Sequence, residues 1–130
     1  MDIYLAGRYG RREELAGYAK QLEAKGHHVT SRWLAGEHEA KDEKPTMMEA
    51  QGWAEHDLDD IEYADWLVAF TEGPECTHAR GGRHVELGYA IALSRYCFMR
   101  IVIIGPRENV FCNLEEVEQF DSFEDFMGSL

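Results

Sequence analysis

Asp65-Trp66-Leu67-Val68-Ala69-Phe70 and Arg100-Ile101-Val102-Ile103-Ile104-Gly105 are two short apolar runs, and the stretch between them decides the fold. Each run has the length of a buried strand. Between them, Arg83 to Ser94 carries Val85, Leu87, Tyr89, Ala90, Ile91 and Leu93, apolar nearly all round as in a helix buried against a sheet. Two strands joined through such a helix lie parallel, because a crossover of that length returns the chain to the same edge.

The same alternation extends in both directions. Upstream, Asp2 to Ala6 reads as a short buried strand, and Gly7-Arg8-Tyr9-Gly10 as the loop that follows it. From Arg11 to Lys25, Leu15, Tyr18, Ala19 and Leu22 recur at helical spacing, with Gly26 as the C-terminal cap. His28 to Arg32 is β-prone but only moderately apolar, which places a second strand toward a sheet edge. Ala35 to Pro45, crowded with Glu37, Glu39, Lys41, Asp42, Glu43 and Lys44, reads as a long loop suited to a lid. A helix is expected from about Thr46 to Tyr63, and a loop rich in Gly, Pro and polar residues runs from Glu72 to Gly81-Gly82. Downstream come a polar loop over Arg107 to Asn113, a fifth strand near Val117 to Phe120, and an amphipathic helix from Ser122 with Phe123, Phe126 and Met127. Strand and helix alternate throughout, which predicts one α/β domain over residues 1–130. Its expected form is a doubly wound, flavodoxin- or Rossmann-like, mostly parallel sheet of about five strands with helices on both faces.

Composition narrows the function. A chain of 130 residues, 45% hydrophobic and 29% charged, is that of an ordinary globular domain with enough core to need no staples. The apolar runs fall far short of the roughly 20 residues that cross a bilayer, and no secretory signal pattern opens the chain, so a cytoplasmic protein without membrane contact is expected. Three cysteines, Cys76, Cys97 and Cys112, form no C-x-x-C pair and predict reduced thiols. A net charge of −12, from 25 acidic and 13 basic residues, repels a nucleic-acid polymer and favours a small ligand.

In a parallel sheet the ligand sits beyond the carboxyl ends of the strands. Two arginine clusters, Arg8 with Arg11 and Arg12, and Arg80 with Arg83, fall in the loops there. Facing one crevice beside helix N-termini, they predict an anionic small molecule; the alternative is that they pair with the chain's own carboxylates. Neither a full G-x-G-x-x-G nor a G-x-x-x-x-G-K-[ST] motif is present, and the six histidines show no metal-ligand spacing, with Cys76, His78 and His84 merely in one region. The remaining constellation is Gly81-Gly82-Arg83-His84-Val85-Glu86-Leu87-Gly88. It sets a carboxylate among apolar residues in the first turns of a helix, where the helix N-terminus keeps it ionised and Gly82 and Gly88 admit a close ligand. That suits a carboxylate nucleophile, while the bland alternative pairs Glu86 with Arg83 or His84 on the helix surface.

Three separated segments together resemble the nucleoside 2-deoxyribosyltransferase family and its nucleoside monophosphate N-glycosidase relatives. Ile3-Tyr4-Leu5-Ala6-Gly7 is similar to the family's opening strand, Asp57-Leu58-Asp59-Asp60-Ile61-Glu62-Tyr63-Ala64 to its D-L-x-x-[IL]-x-x-A stretch, and Glu86-Leu87-Gly88 to its E-[LI]-G stretch. The resemblance implies Glu86 as the nucleophile, Tyr4 as the residue that orients it, and Asp57 as the group that assists the departing base. It also implies a nucleoside or nucleotide substrate, for which Gly7, Arg8, Arg80, Gly82 and Arg83 in the strand-end loops are the expected contacts, with no cofactor or metal expected. Family members borrow an asparagine from a neighbouring subunit; Asn113 is the nearest match and Asn109 the competing one, and either implies a homodimer or larger homo-oligomer. Six residues before Glu86 the family places an aspartate or a phosphate-binding serine, whereas this chain has Arg80. The arginine favours a phosphorylated substrate. The expected activity is therefore cleavage of an N-glycosidic bond with transfer of the sugar to a base or to water. The alternatives are a nucleotide-binding domain without turnover, and an interaction protein that uses the charged 35–45 loop.

Overall fold

The computed structural model describes residues 1–36, 45–76 and 80–130. The expected lid, apart from its ends, lies outside the described residues, as does His78. The described chain forms a five-stranded sheet, all parallel, in the order β2-β1-β3-β4-β5, from β1 (Asp2–Ala6), β2 (His28–Val29), β3 (Trp66–Phe70), β4 (Arg100–Ile104) and β5 (Val117–Phe120). β1 and β3 are neighbours although β2 lies between them in sequence, so the order reverses at this pair and opens a crevice beyond its carboxyl ends.

Helices α1 (Arg12–Ala24), α2 (Met47–Tyr63), α3 (Gly82–Ser94) and α4 (Phe123–Gly128) cover the sheet. α1 meets α4 where Tyr18 stacks on Phe123 at 4.0 Å between centroids, and α2 meets α3 where the Tyr89 hydroxyl donates to Glu62. The central strands supply the core: Ile3, Tyr4, Leu5, Leu67, Val68, Val102 and Ile103 are fully buried. At roughly 25 cal/mol per Å² of apolar surface, burial of this kind is the principal stabilising contribution. Two helix starts are capped as their sequences allow. Thr46 and Glu49 exchange hydrogen bonds as a capping box on α2, and the Ser122 hydroxyl accepts from Asp125 N at 3.1 Å.

β2 is shorter than the expected His28–Arg32, and side chains are the reason. The ladder stops at Val29, after which Thr30 N still donates to Ile3 O at 2.8 Å. Beyond it the Ser31 hydroxyl accepts from Leu5 N at 2.6 Å and donates to Leu5 O at 3.2 Å, replacing a backbone partner. Arg32 N then donates to the buried Asp60 carboxylate at 3.1 Å, and the chain turns into a 3-10 helix over Arg32–Ala35. As expected, β2 lies at the sheet edge. The loop after β1 likewise tightens into a 3-10 turn, Tyr9–Arg11, so that α1 starts at Arg12. Among the described residues no helix is long and apolar enough to cross a membrane, and Cys76, Cys97 and Cys112 are free thiols.

Candidate active site

The crevice at the β1–β3 switch point is a cleft of about 690 Å³ lined by Gly7 to Gly10, Trp33, Ala50, Trp53, Asp57, Arg80 to Arg83 and Glu86. Each wall comes from a different element: the turn after β1, the 3-10 helix after β2, one face of α2, and the first turn of α3. α3 opens on Gly81, whose φ of +91° lies in the left-handed region that favours glycine. No side chain caps this start, and Gly81, Gly82 and Arg83 at it line the cleft.

Tyr4 lies fully buried in β1, beneath the cleft, and its hydroxyl donates to the Glu86 carboxylate. Glu86 therefore pairs with Tyr4, and the alternative of a surface pair with Arg83 or His84 is not what the structure shows. Burial raises the Glu86 carboxyl to about 8, the Tyr4 hydrogen bond opposes that rise, and the negative charge of Asp57 adds to it. Asp57 is raised to about 7 by burial and then by Asp60, with Arg32 opposing. Tyr4 is pushed far above its usual range, first by burial and then by Glu86 and Asp57, so it remains a hydroxyl donor at any working pH. Two raised carboxyls thus line one cleft, and the charge of Asp57 acts on Glu86.

Not every arginine enters the cleft. Arg8 and Arg80 line it, with Arg8 Nε 3.4 Å from Glu72 at its edge. Arg83 also lines it, but its two terminal nitrogens are taken by the carboxylate of Glu108. Arg11 turns away to Glu14 at 2.7 Å and lies over the Phe70 ring, and Arg12 donates to Leu34 O at 3.1 Å. Both sequence expectations thus hold in part: some arginines face the crevice, while others pair with the chain's own acceptors.

Gly7 and Gly82 are in the lining as expected, but Gly88 is exposed and absent from it. A Cβ on Gly82 or Gly88 would meet nothing within 4 Å, so neither glycine answers a close approach within the chain. Asn113 is exposed on the 3-10 helix Val110–Asn113, donates to Asn109 O at 3.3 Å, and does not line this chain's cleft. Asn109 accepts from Phe111 N at 3.0 Å and lies 3.5 Å from a His84 ring nitrogen. Among the described residues no cluster of three or more His, Cys, Asp or Glu is placed to hold a metal ion.

The structure adds an aromatic wall, of which Tyr9 and Trp33 follow strand ends as a ligand site requires, while Trp53 on α2 does not and was missed in the sequence. Tyr9, Trp33 and Trp53 line the cleft, with the Tyr9 and Trp33 rings 6.2 Å apart and the Trp33 indole donating to Leu5 O at 2.8 Å. The signal was present, since Ala50, Trp53 and Asp57 are spaced i, i+3, i+7 and so share one face of α2.

The chain resembles the solved structure of a CMP N-glycosidase, BcmB, from Clostridium botulinum, with a TM-score of 0.57 and 16% identity over 99% of this chain and 97% of that one. At that identity the likeness shows the shared fold. No curated protein matches the sequence. The family model for nucleoside 2-deoxyribosyltransferases matches residues 3–125, which takes in every element that builds the cleft. The chain belongs to the nucleoside 2-deoxyribosyltransferase family, a family of enzymes of nucleoside glycosyl transfer or cleavage.

Proposed function

We propose that this protein breaks the N-glycosidic bond of a nucleoside monophosphate through a covalent intermediate on Glu86. The observation that carries this is the Glu86 carboxylate in the cleft wall, held by the buried Tyr4 hydroxyl and coupled electrostatically to Asp57. A Glu86 oxygen bonds to the anomeric carbon as the carbon–nitrogen electron pair leaves with the base, and Asp57 gives that base nitrogen its proton. Water, deprotonated by Asp57, or a second base then attacks the same carbon and frees Glu86. Tyr4 aims one carboxylate oxygen and supports its charge, and the rings of Tyr9, Trp33 and Trp53 give the base a stacking surface. Arg8, Arg80 and the uncapped start of α3 supply the attraction for a phosphate. Arg83 is neutralised by Glu108 and contributes little net charge.

The test is release of free base, followed by chromatography, from nucleosides and their monophosphates, with and without a second base. Release is expected from at least one monophosphate and is lost in Glu86→Ala, while the melting temperature stays within a few degrees. Dependence on the second base separates transfer from hydrolysis. The second reading, binding without turnover, draws on Arg80; a monophosphate that raises the melting temperature yet is never cleaved would select it.

The site is also proposed to be shared between subunits of a homo-oligomer, because Asn113 stays outside its own cleft beside Val110 and Phe111, which are 75% and 61% exposed. Mixing inactive Glu86→Ala and Asn113→Ala proteins should then restore base release through hybrid sites. A monomer by light scattering, or no recovery on mixing, excludes sharing.

A further inference from the structure

We infer that Glu108 is a positioning residue for the nucleophile, clamping Arg83 so that the first turn of α3 presents Glu86 to the cleft. The inference rests on the proposed role of Glu86. α3 begins on Gly81 and Gly82 without a side-chain cap, so its own sequence does not lock that turn. Arg83, the second residue of the helix, does. Its side chain is only 8% exposed, and its terminal nitrogens take both oxygens of Glu108, with Nη2–Oε2 at 3.0 Å. Its buried Nε has no hydrogen-bond partner among the described residues, which leaves Glu108 as the group that holds the guanidinium. A bidentate pair of this kind fixes orientation as well as distance.

Arg83 precedes Glu86 by three residues, so the two side chains lie on neighbouring turns of one face. At the other end of the clamp, the loop that carries Glu108 is tied to the sheet. Thr71 Oγ1 donates to Pro106 O at 2.7 Å, Gln119 Nε2 to Gly105 O at 2.7 Å, and an Arg107 guanidinium nitrogen to Cys112 O. The clamp therefore joins the carboxyl ends of β3, β4 and β5 to the turn before the nucleophile.

The clamp bears on the Glu86 titration through position. The charged and titratable groups around Glu86 are Tyr4 from β1, Asp57 with Asp60 behind it from α2, Arg83 from its own helix, and Arg8 and Arg80 on the cleft walls. The rise of Glu86 comes from burial and Asp57 with Tyr4 opposing it, so the clamp acts on this carboxyl by holding it in its buried place.

The test compares the parent with Glu108→Gln and Glu108→Ala by base-release kinetics, melting, and a carbon-13 NMR titration of the Glu86 carboxyl. Glu108→Ala is expected to lower kcat about 100-fold with KM changed less than about 3-fold, the signature of a misplaced reacting group, and Glu108→Gln to lower it less. In both variants Glu86 titrates at lower pH, because a turn that is no longer held lets water reach the carboxyl and relieves the burial that raises it. An unchanged kcat, a rise in KM alone, or an unmoved Glu86 titration overturns the inference. The isosteric Gln variant carries the test should the Ala protein not fold. A parent that releases no base counts against the cleavage chemistry, and on that same protein the Glu86 titration still decides whether the clamp acts.

Discussion

In the proposed mechanism Glu86 must be an anion to attack, yet its surroundings raise it to about 8, and Asp57 in the same cleft is raised to about 7. The two facts are compatible if the pair works with one proton between them: the values favour that proton on Glu86, so the productive arrangement, Glu86 ionised and Asp57 protonated to serve the base, is the minor of the two singly protonated forms. That form is depleted below the first loss of a proton and again above the second. The dependence of kcat/KM on pH should therefore be a bell whose limbs lie near the two values, with its maximum between pH 7 and 8. Asp57→Asn should flatten the alkaline limb and lower kcat by about 10²- to 10⁴-fold. A rate that climbs steadily through pH 10 in the parent would contradict the paired carboxyls. At this scale the sequence reveals chemistry only where a local pattern carries it. Tyr4, Asp57 and Glu86 stand out because each sits in a short stretch that resembles the family. The Arg83–Glu108 pair does not, because its halves are 25 residues apart and a long-range ion pair leaves no periodic trace.

Among the elements, α2 shows how one helix face sets both the chemistry and the fit. Ala50, Trp53 and Asp57 follow one another down that face, so the turn that brings the acid to the cleft also brings the indole. The buried residues of the same helix are Asp60 and Ile61, and the grip of Asp60 on Arg32 fixes the helix against the 3-10 turn after β2. If Trp53 forms part of the surface on which the base stacks, Trp53→Ala should weaken substrate binding by about 1–3 kcal/mol, roughly 5- to 150-fold in KM. The effect on kcat should be smaller. Steady-state kinetics check this, and a KM unchanged within 2-fold removes Trp53 from the base site. The elements themselves were legible because apolar period and cap residues agree along most of the chain. β2 was read too long because β-propensity says nothing of Ser31 and Asp60, whose side chains take over hydrogen bonds that a further rung of strand would have made.

For the molecule as a whole, the raised carboxyls make stability depend on pH with a definite sign. Glu86 and Asp57 move up from 4.5 and 3.8 to about 8 and about 7, so between those limits the folded chain holds protons that the unfolded chain has released. Stability falls with rising pH wherever the folded state binds more protons. Their combined effect is thus to favour the fold fully below about pH 4 and to withdraw that support progressively toward pH 8. Glu14, lowered by its hydrogen bond to Arg11, acts in the opposite sense, but only near its own lower range. A net charge of −12 adds self-repulsion on the same alkaline side. The melting temperature should therefore fall by several degrees between pH 5 and pH 8. Glu86→Gln keeps an acceptor for Tyr4 but has no proton to lose, so it should melt above the parent at pH 8 and converge with it near pH 4. Calorimetry of the two proteins across that range decides the matter. Parallel curves would mean that Glu86 titrates alike in both states, and the cleft would then be wetter than its burial implies. A diverging pair would show that the fold carries an energetic load at the position where catalysis is proposed to need a desolvated carboxylate, a recurring tension between stability and activity at active sites.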